Sequence, residues 1–410
     1  MNEISETNDL LKKLVCFSNS FSHFSIHASN THSGNHDIIA AFGAKKTIHS
    51  LHDLQLNDRA FKFGLIAYDL KNQFENLHSR HNNEHELEDV YFFVPELIIV
   101  LKESRIEVIP KEKEADFFQF NYNFKSKKKK PITINCSETK ESYIKAVNQL
   151  KKHIQKGDIY EVNYCINHYC SDAELDPEEL FLKLNAISEA PFASFTRLNN
   201  HYIICSSPER FICKQNNQLI TQPIKGTAPR SENKIIDELN KCNLQNDEKE
   251  LNENVMIVDV SRNDLSRIAK KSTVTASKLF AVETFKQVHQ MVSTVTCELK
   301  DNIQFESIIK AMFPPASMTG APKIRAMELI DEYENFRRGA YSGSIGFIDN
   351  KGGFDFNVVI RSIIYNPGKK YFSFASGSAI TSKCDPEKEY EECKLKARAM
   401  EQIIKSTFEN

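Results

Sequence analysis

Apolar residues are grouped in two modes along this chain. FKFGLIAYDL (61–70) and VYFFVPELIIVL (90–101) are short, aromatic and β-branched runs that predict buried strands. Tyr143, Val147, Leu150 and Ile154 instead fall at helical spacing and lead into KGDIYEVNYCINHY. Toward the end, Asp385 suits an N-cap and Pro386 the first helical position, ahead of an apolar stripe of Tyr390, Cys393, Ala397, Met400 and Ile404. Residues 203–213 and 218–224 read as two strands joined by a short turn. Strand-like and helical segments alternate without regular βαβ units and without an internal repeat. The pattern predicts an α+β fold, with mixed or antiparallel sheets packed together and flanked by helices.

At 410 residues the chain is long enough for one oversized domain or two ordinary ones. KSKKKKP (125–131), a like-charge run ending in proline, predicts a solvated linker. It divides an N-terminal lobe (1–125) from a larger region (138–410), with 126–137 between them and the two lobes forming one compact unit. No aromatic residues interleave the basic run and the net charge is −2, so nothing points to nucleic acid or to an anionic membrane surface. No apolar run approaches the roughly 20 residues of a membrane helix, and MNEISETNDLLKKLV does not read as a secretory signal. The expected location is the cytoplasm. The ten cysteines show no CxxC spacing, which predicts buried thiols in place of disulfides or a zinc site. Nine of the thirteen histidines precede residue 86, in polar stretches such as HASNTHSGNH, and are expected in solvated loops.

Three features are left for chemistry. In PIKGTAPR (223–230), Lys225 sits between two prolines and ahead of Gly226, and the phosphate-loop pattern GxxxxGK[ST] is absent. Glu209, in SSPERF, is sixteen residues upstream, and the expected hairpin brings the two to neighbouring positions. A carboxyl group beside an amine in a dry cleft can serve as acid and nucleophile, and it can equally be an ion pair of the scaffold. Glu250 with Glu253, and Glu389 with Glu392, are i,i+3 doublets that each share a helix face. Carboxylates facing one another from two helices suit Mg²⁺, while solvated surface glutamates are the competing reading. In TGAPKIRAMELIDEY, Pro322 fits the first position of a helix that packs through Ile324, Met327 and Ile330, leaving backbone N–H groups free for a carboxylate. Tyr341 and Arg361 supply a phenol and a guanidinium able to hold another, although a lone arginine in a strand also serves structure. Together these features ask for a small, multiply acidic ligand bound with Mg²⁺.

GDIYEVN, SSPERF, PIKGTAPR, ENVMIVDVSRNDLSRI, HQMVS, TGAPKIRAMELIDEYENFRRGAYSG, VIRS and DPEKEYEE occur here in the order found in chorismate-utilising enzymes. From about residue 140 to 405 the chain resembles component I of the aminodeoxychorismate (para-aminobenzoate) and anthranilate synthases. GLIAYDLKNQFE and DVYFFVPELIIV are similar to that family's N-terminal lobe, here shortened. The resemblance implies a large two-lobed α+β fold, chorismate as substrate, Mg²⁺ as cofactor, and ammonia delivered by a glutamine amidotransferase subunit. No Gly-x-Cys-x-Gly elbow in this sequence supplies a glutaminase of its own. Anthranilate synthases usually carry alanine where Lys225 stands, so the lysine implies amination of chorismate in the folate branch. Anthranilate synthesis and a non-catalytic chorismate-binding subunit are the alternatives.

Residue by residue, the resemblance makes Glu209 the acid that protonates the departing C4 hydroxyl. Lys225 becomes a nucleophile for C2, which requires an amine whose pKa lies below the ordinary value. His289 stands beside the substrate. Thr227, Thr319, Gly320, Ala321, Lys323, Gly377 and Ser378 contact it, and Tyr341 and Arg361 hold its enolpyruvyl carboxylate. Glu253 and Glu392 would bind Mg²⁺, supported by Glu250 and Glu389. Two positions depart from the family. Glu161 stands where many relatives have glutamine, and Ser376 and Ser378 replace glycines in ASGSAI, where a backbone of positive φ would strain a serine.

Overall fold

The computed structural model describes residues 2–30, 37–122 and 131–408. Residues 126–130 of the expected linker, and His32 and His36 of the histidine-bearing stretch, lie outside the described residues. Two large sheets face each other. The eleven-stranded one runs from Gly320–Ala321 through Glu161–Cys170, Tyr371–Ile380, Ser362–Asn366, His201–Ser207, Phe192–Leu198, His23–Ala28 and Ile38–Phe42 to Leu97–Lys102 and Arg105–Ile109. The ten-stranded one runs from Ile224–Pro229 through Val288–Glu298, Gln218–Gln222, Arg210–Gln215, Phe354–Val358, Ser344–Ile348 and Lys62–Ile66 to Val90–Val94 and Lys46–Ile48. The fold class is α+β, and the named strands pair antiparallel throughout. Strands from residues 1–125 are hydrogen-bonded into both sheets beside strands from the larger region. No helix among the described residues is long and apolar enough to cross a membrane.

Strand alternation explains the layering. In Ile38–Phe42, Ile39 and Ala41 enter the core between the sheets, while Ile38, Ala40 and Phe42 face the outer core. That outer core is closed by Leu14 of the Asn2–Ser18 helix, Phe181 of Pro177–Ser188 and Met400 of Pro386–Ser406. Both faces of the sheet are buried, which is why these runs are apolar at consecutive positions.

Two expected strands are each two strands. The 90–101 run is cut at Pro95: Val90–Val94 belongs to the ten-stranded sheet and Leu97–Lys102 to the other. The 203–213 run is cut in the same way at Pro208, with His201–Ser207 in one sheet and Arg210–Gln215 in the other. Proline donates no ladder hydrogen bond, so a strand ends at it and the chain crosses between layers. The second crossing carries Glu209.

The helices follow their signals. Lys140–Gln155 opens on a Thr139–Ser142 capping box, and the Asp385 side chain accepts from the N–H groups of Glu387 and Lys388. Pro322 is the N-cap of the Lys323–Tyr333 helix, one position earlier than expected. Seven of the ten cysteines are buried and none is bonded to another. The early histidines are not uniformly loop residues: His23 and His27 lie in a strand, and His85 is buried against Ser373, 2.7 Å away.

Candidate functional site

A cavity of about 480 Å³ opens beside the Ile224–Pro229 edge strand. The Glu248–Ser266 and Pro386–Ser406 helices, the Tyr371–Ile380 strand and the Pro208–Glu209 crossing complete its lining. Glu209, Lys225, Thr227, Glu250, Glu253, Tyr341, Arg361, Gly377, Ser378, Glu389 and Glu392 all reach it.

The sheet crossing aims Glu209 inward. Its carboxylate accepts from Ser317 Oγ at 2.6 Å and from the Ile224 backbone N–H. Burial outweighs these bonds and the nearby Lys225 charge, and lifts the pKa to about 7. A carboxyl group there holds its proton near neutral pH and can give it up.

Lys225 owes its direction to a bulge. Ile224 pairs with Val292 and Thr227 with Gln290, so one extra residue is taken up between them. Gly226 adopts φ +89°, where a Cβ would meet Glu250 Oε2 at 3.1 Å. Lys225 Nζ donates to Glu161 Oε1 at 2.5 Å, with Glu161 1% and Lys225 10% exposed. Burial alone would lower the lysine pKa, but the fields of Glu161 and Glu253, the hydrogen bond to Glu161 and the field of Glu209 overcome it and raise the pKa. The expectation of a depressed Lys225 pKa is therefore wrong for the free protein. Its sequence neighbours gave no sign of the carboxylate 64 residues away.

The acidic doublets face each other from two helices. Glu253 Oε1 and Glu389 Oε2 are buried and accept no hydrogen bond among the described residues. Burial raises the pKa of Glu253 to about 7 and moves Glu250 and Glu389 in the same direction. Glu392 is lowered, because Lys396 at 2.6 Å outweighs burial. Lys249 Nζ stands 3.4 Å from Glu389 Oε1 and 3.8 Å from Glu253 Oε1. Among the described residues no three His, Cys, Asp or Glu side chains converge on one ready-made metal centre. The donors still suit a hard divalent cation, which takes one or two carboxylates together with water and substrate oxygens. The two carboxylate oxygens that accept no hydrogen bond among the described residues, and the Lys249 ammonium drawn between the helices, mark where positive charge is wanted.

Elsewhere in the cavity lining, Tyr341 and Arg361 sit on backbone that the sequence did not disclose. Arg361 has φ +52° and Ser342, next to Tyr341, φ +63°. Non-glycine residues in this region cost about 1–3 kcal/mol each and cluster at ligand-binding sites. The Arg361 guanidinium makes no ion pair with a side chain of the described residues, and burial lowers its pKa. It is a half-buried cation that lines the cavity. Ser376 donates to the Cys393 carbonyl at 2.9 Å and Ser378 meets Tyr143 Oη at 2.8 Å. Neither serine has positive φ, so the strain considered for them is absent. At Gly377 a Cβ would lie 2.5 Å from Cys165 Sγ, so strand packing requires glycine there.

Five of the expected residues lie outside the cavity lining. His289 bonds Asp237 at 3.0 Å and Thr284 at 2.9 Å, which ties the Lys234–Asn246 helix to the strand beneath it. Thr319 is buried, with its hydroxyl 3.1 Å from the Ala316 carbonyl. Gly320 and Ala321 pair with Val162 and Glu161. Lys323 is bound to Asp264 at 2.6 Å and to the carbonyls of Met312 and Pro314. The Thr319–Lys323 turn holds the strand of Glu161 in place. Ser317, Gln290, Lys249 and Lys396, which sequence reasoning missed, do line the cavity. Lys249 and Lys396 stand at i,i+4 from Glu253 and Glu392, a helical spacing that could have found them, whereas Ser317 meets Glu209 across the fold.

Residues 5–402 match a family described as chorismate binding enzyme. The chain is 35% identical over 335 residues to aminodeoxychorismate synthase component 1 of Klebsiella aerogenes, covering 80% of this chain and 74% of that protein. It is 32% identical over 365 residues to the Bacillus subtilis protein of the same name, covering 84% and 77%. Anthranilate synthase component I from Streptococcus pneumoniae TIGR4 superposes with a TM-score of 0.74 at 25% identity, over 83% of this chain and 80% of that one. The menaquinone-specific isochorismate synthase from Escherichia coli superposes at 0.79 with 15% identity, over 95% and 91%, and shares the fold.

Proposed function

The chain belongs to the chorismate-binding enzyme family, and from that premise we propose that its cavity aminates chorismate at C4 with ammonia, giving 4-amino-4-deoxychorismate and water. The observation that carries this reading is the pairing of a near-neutral acid, Glu209, with Lys225 in one buried cavity, in a chain that matches aminodeoxychorismate synthase component 1 over most of its length. The C4 hydroxyl leaves poorly unless protonated, and Glu209 can supply that proton. Lys225 attacks C2, the conjugated double bonds shift and the C4–O bond breaks. Ammonia then attacks C4, the bonds shift back and the lysine is released. Covalent capture divides one difficult displacement into two easier ones. Arg361 and Tyr341 hold the side-chain carboxylate of the substrate, fixing the ring over the lysine. Glu253 and Glu392, with Glu250 and Glu389, would hold Mg²⁺, which would neutralise the ring carboxylate of the substrate. Ammonia comes from a separate glutamine-hydrolysing subunit, which fits the description of the relatives as component 1.

The test incubates the protein with chorismate, Mg²⁺ and ammonium, adds aminodeoxychorismate lyase, and identifies products by mass. Para-aminobenzoate appearing only after the lyase supports the reading. Fluorescent anthranilate released without the lyase overturns it.

A further inference from the structure

The contact that this chemistry leaves unexplained is the one between Glu161 and Lys225. The two side chains come from strands of different sheets, meet at 2.5 Å and are packed away from solvent. The second oxygen, Glu161 Oε2, is buried with no hydrogen-bond partner among the described residues. An amine must lose a proton before it bonds to carbon. The other acids facing Lys225 are less suited to receive it. Glu209 is bound by Ser317 and by the Ile224 N–H, and its proton is needed by the leaving hydroxyl. Glu250, Glu253 and Glu392 act on Lys225 through space and form no ion-pair contact with it among the described residues.

We propose that Glu161 is the base of this site, taking the proton of Lys225 as the amine bonds to the ring; the inference rests on the amination reading above. One N–H bond of the ammonium breaks and an O–H bond forms on Glu161 Oε1. The freed electron pair forms the N–C2 bond, the double bonds shift toward C4, and the C4–O electrons leave with the proton of Glu209 as water. When ammonia attacks C4, the new C4 ammonium gives a proton to the Glu209 carboxylate. The C2–N bond then breaks, and Lys225 recovers its proton from Glu161. The alkylated nitrogen keeps a positive charge while the negative charge passes from Glu161 to the Glu209 carboxylate, so the net charge of the poorly solvated site is unchanged.

The consequence is a distinctive pH signature. In the native enzyme the lysine proton has an internal acceptor. In Glu161→Gln it must go to solvent, so the variant gains about tenfold in kcat relative to the native enzyme per pH unit between pH 6 and 8. KM for chorismate stays within about twofold, because the substrate contacts are untouched. Glu161→Asp, which retains a carboxylate, keeps the native profile at a lower rate. Lys225→Ala combined with Glu161→Gln is no slower than Lys225→Ala alone. A second readout needs no turnover: competitive acetylation of Lys225, followed by peptide mass spectrometry at pH 8, is about tenfold or more faster in Glu161→Gln. A native-to-variant ratio that stays constant with pH, or unchanged acetylation, overturns the assignment. A protein that forms no 4-amino-4-deoxychorismate under any condition overturns the functional reading instead, while the acetylation rates still report whether Glu161 governs the amine.

Discussion

The cavity has a lysine side and an acidic side, and they handle charge differently. On the lysine side each functional group has one short contact, Lys225 with Glu161 at 2.5 Å and Glu209 with Ser317 at 2.6 Å, and only Glu161 Oε2 is left without a hydrogen bond among the described residues. On the acidic side Lys396 holds Glu392 at 2.6 Å, but Lys249 reaches Glu389 and Glu253 only at 3.4 and 3.8 Å, and an oxygen of each of those two carboxylates accepts no hydrogen bond among the described residues. A buried pair at hydrogen-bond distance is a finished device, because removing one member strands the other. Carboxylates held apart around a half-exposed lysine are a receptor that still lacks its ligand. The first side is built for chemistry and the second for binding, and substitutions on the two should fail in different kinetic terms.

The largest effect is expected from Lys225→Ala, which removes the covalent route and should lower kcat by at least about 10³-fold in a lyase-coupled assay. Glu209→Gln should follow, at about 10²–10⁴-fold, the usual contribution of a general acid. In the native enzyme, kcat/KM should fall as pH rises through about 7, where Glu209 loses its proton, and the variant should lack that limb. Stability should move the same way. The folded pKa lies above the ordinary 4.5, so folding takes up a proton between those values and stability from this group declines as pH rises through the window. Melting curves of native protein and Glu209→Gln between pH 5 and 8 would show it.

The acidic side should respond in affinity. Arg361→Lys, which gives up a planar two-point grip, should raise KM for chorismate by about tenfold or more with a smaller change in kcat. The smallest effect is reserved for Lys249→Met. Removing a half-exposed cation from among the carboxylates should tighten Mn²⁺ binding several-fold, by about 1 kcal/mol or less, as read by calorimetry. If Lys249→Met abolished turnover while leaving metal affinity unchanged, the division of labour between the two sides would be wrong.

What could be read in advance follows the range of the physics. The apolar runs, caps and helical stripe are local, and they placed the strands and helices that Lys62–Ile66, Lys140–Gln155 and Pro386–Ser406 now occupy. The motifs also put eleven expected residues on one cavity. Pro95 and Pro208 were visible as prolines, but only the paired sheets reveal that the chain changes layer at each. The bulge at Lys225–Gly226 depends on pairing with Val288–Glu298, and Arg361 enters left-handed backbone through tertiary constraint. The charge of Lys225 was misjudged for the same reason. Its decisive neighbour is 64 residues away, on a strand of the other sheet. His289 and Lys323, given substrate roles by resemblance, are held by Asp237 and Asp264, partners that no motif spacing connects to them.

The most direct test of the account is the rate at which Lys225→Ala forms 4-amino-4-deoxychorismate, measured by lyase coupling at saturating chorismate, Mg²⁺ and ammonium. Product formation should fall by at least about 10³-fold while KM for chorismate stays near the native value. Product formation at close to the native rate, or its replacement by anthranilate, would contradict it.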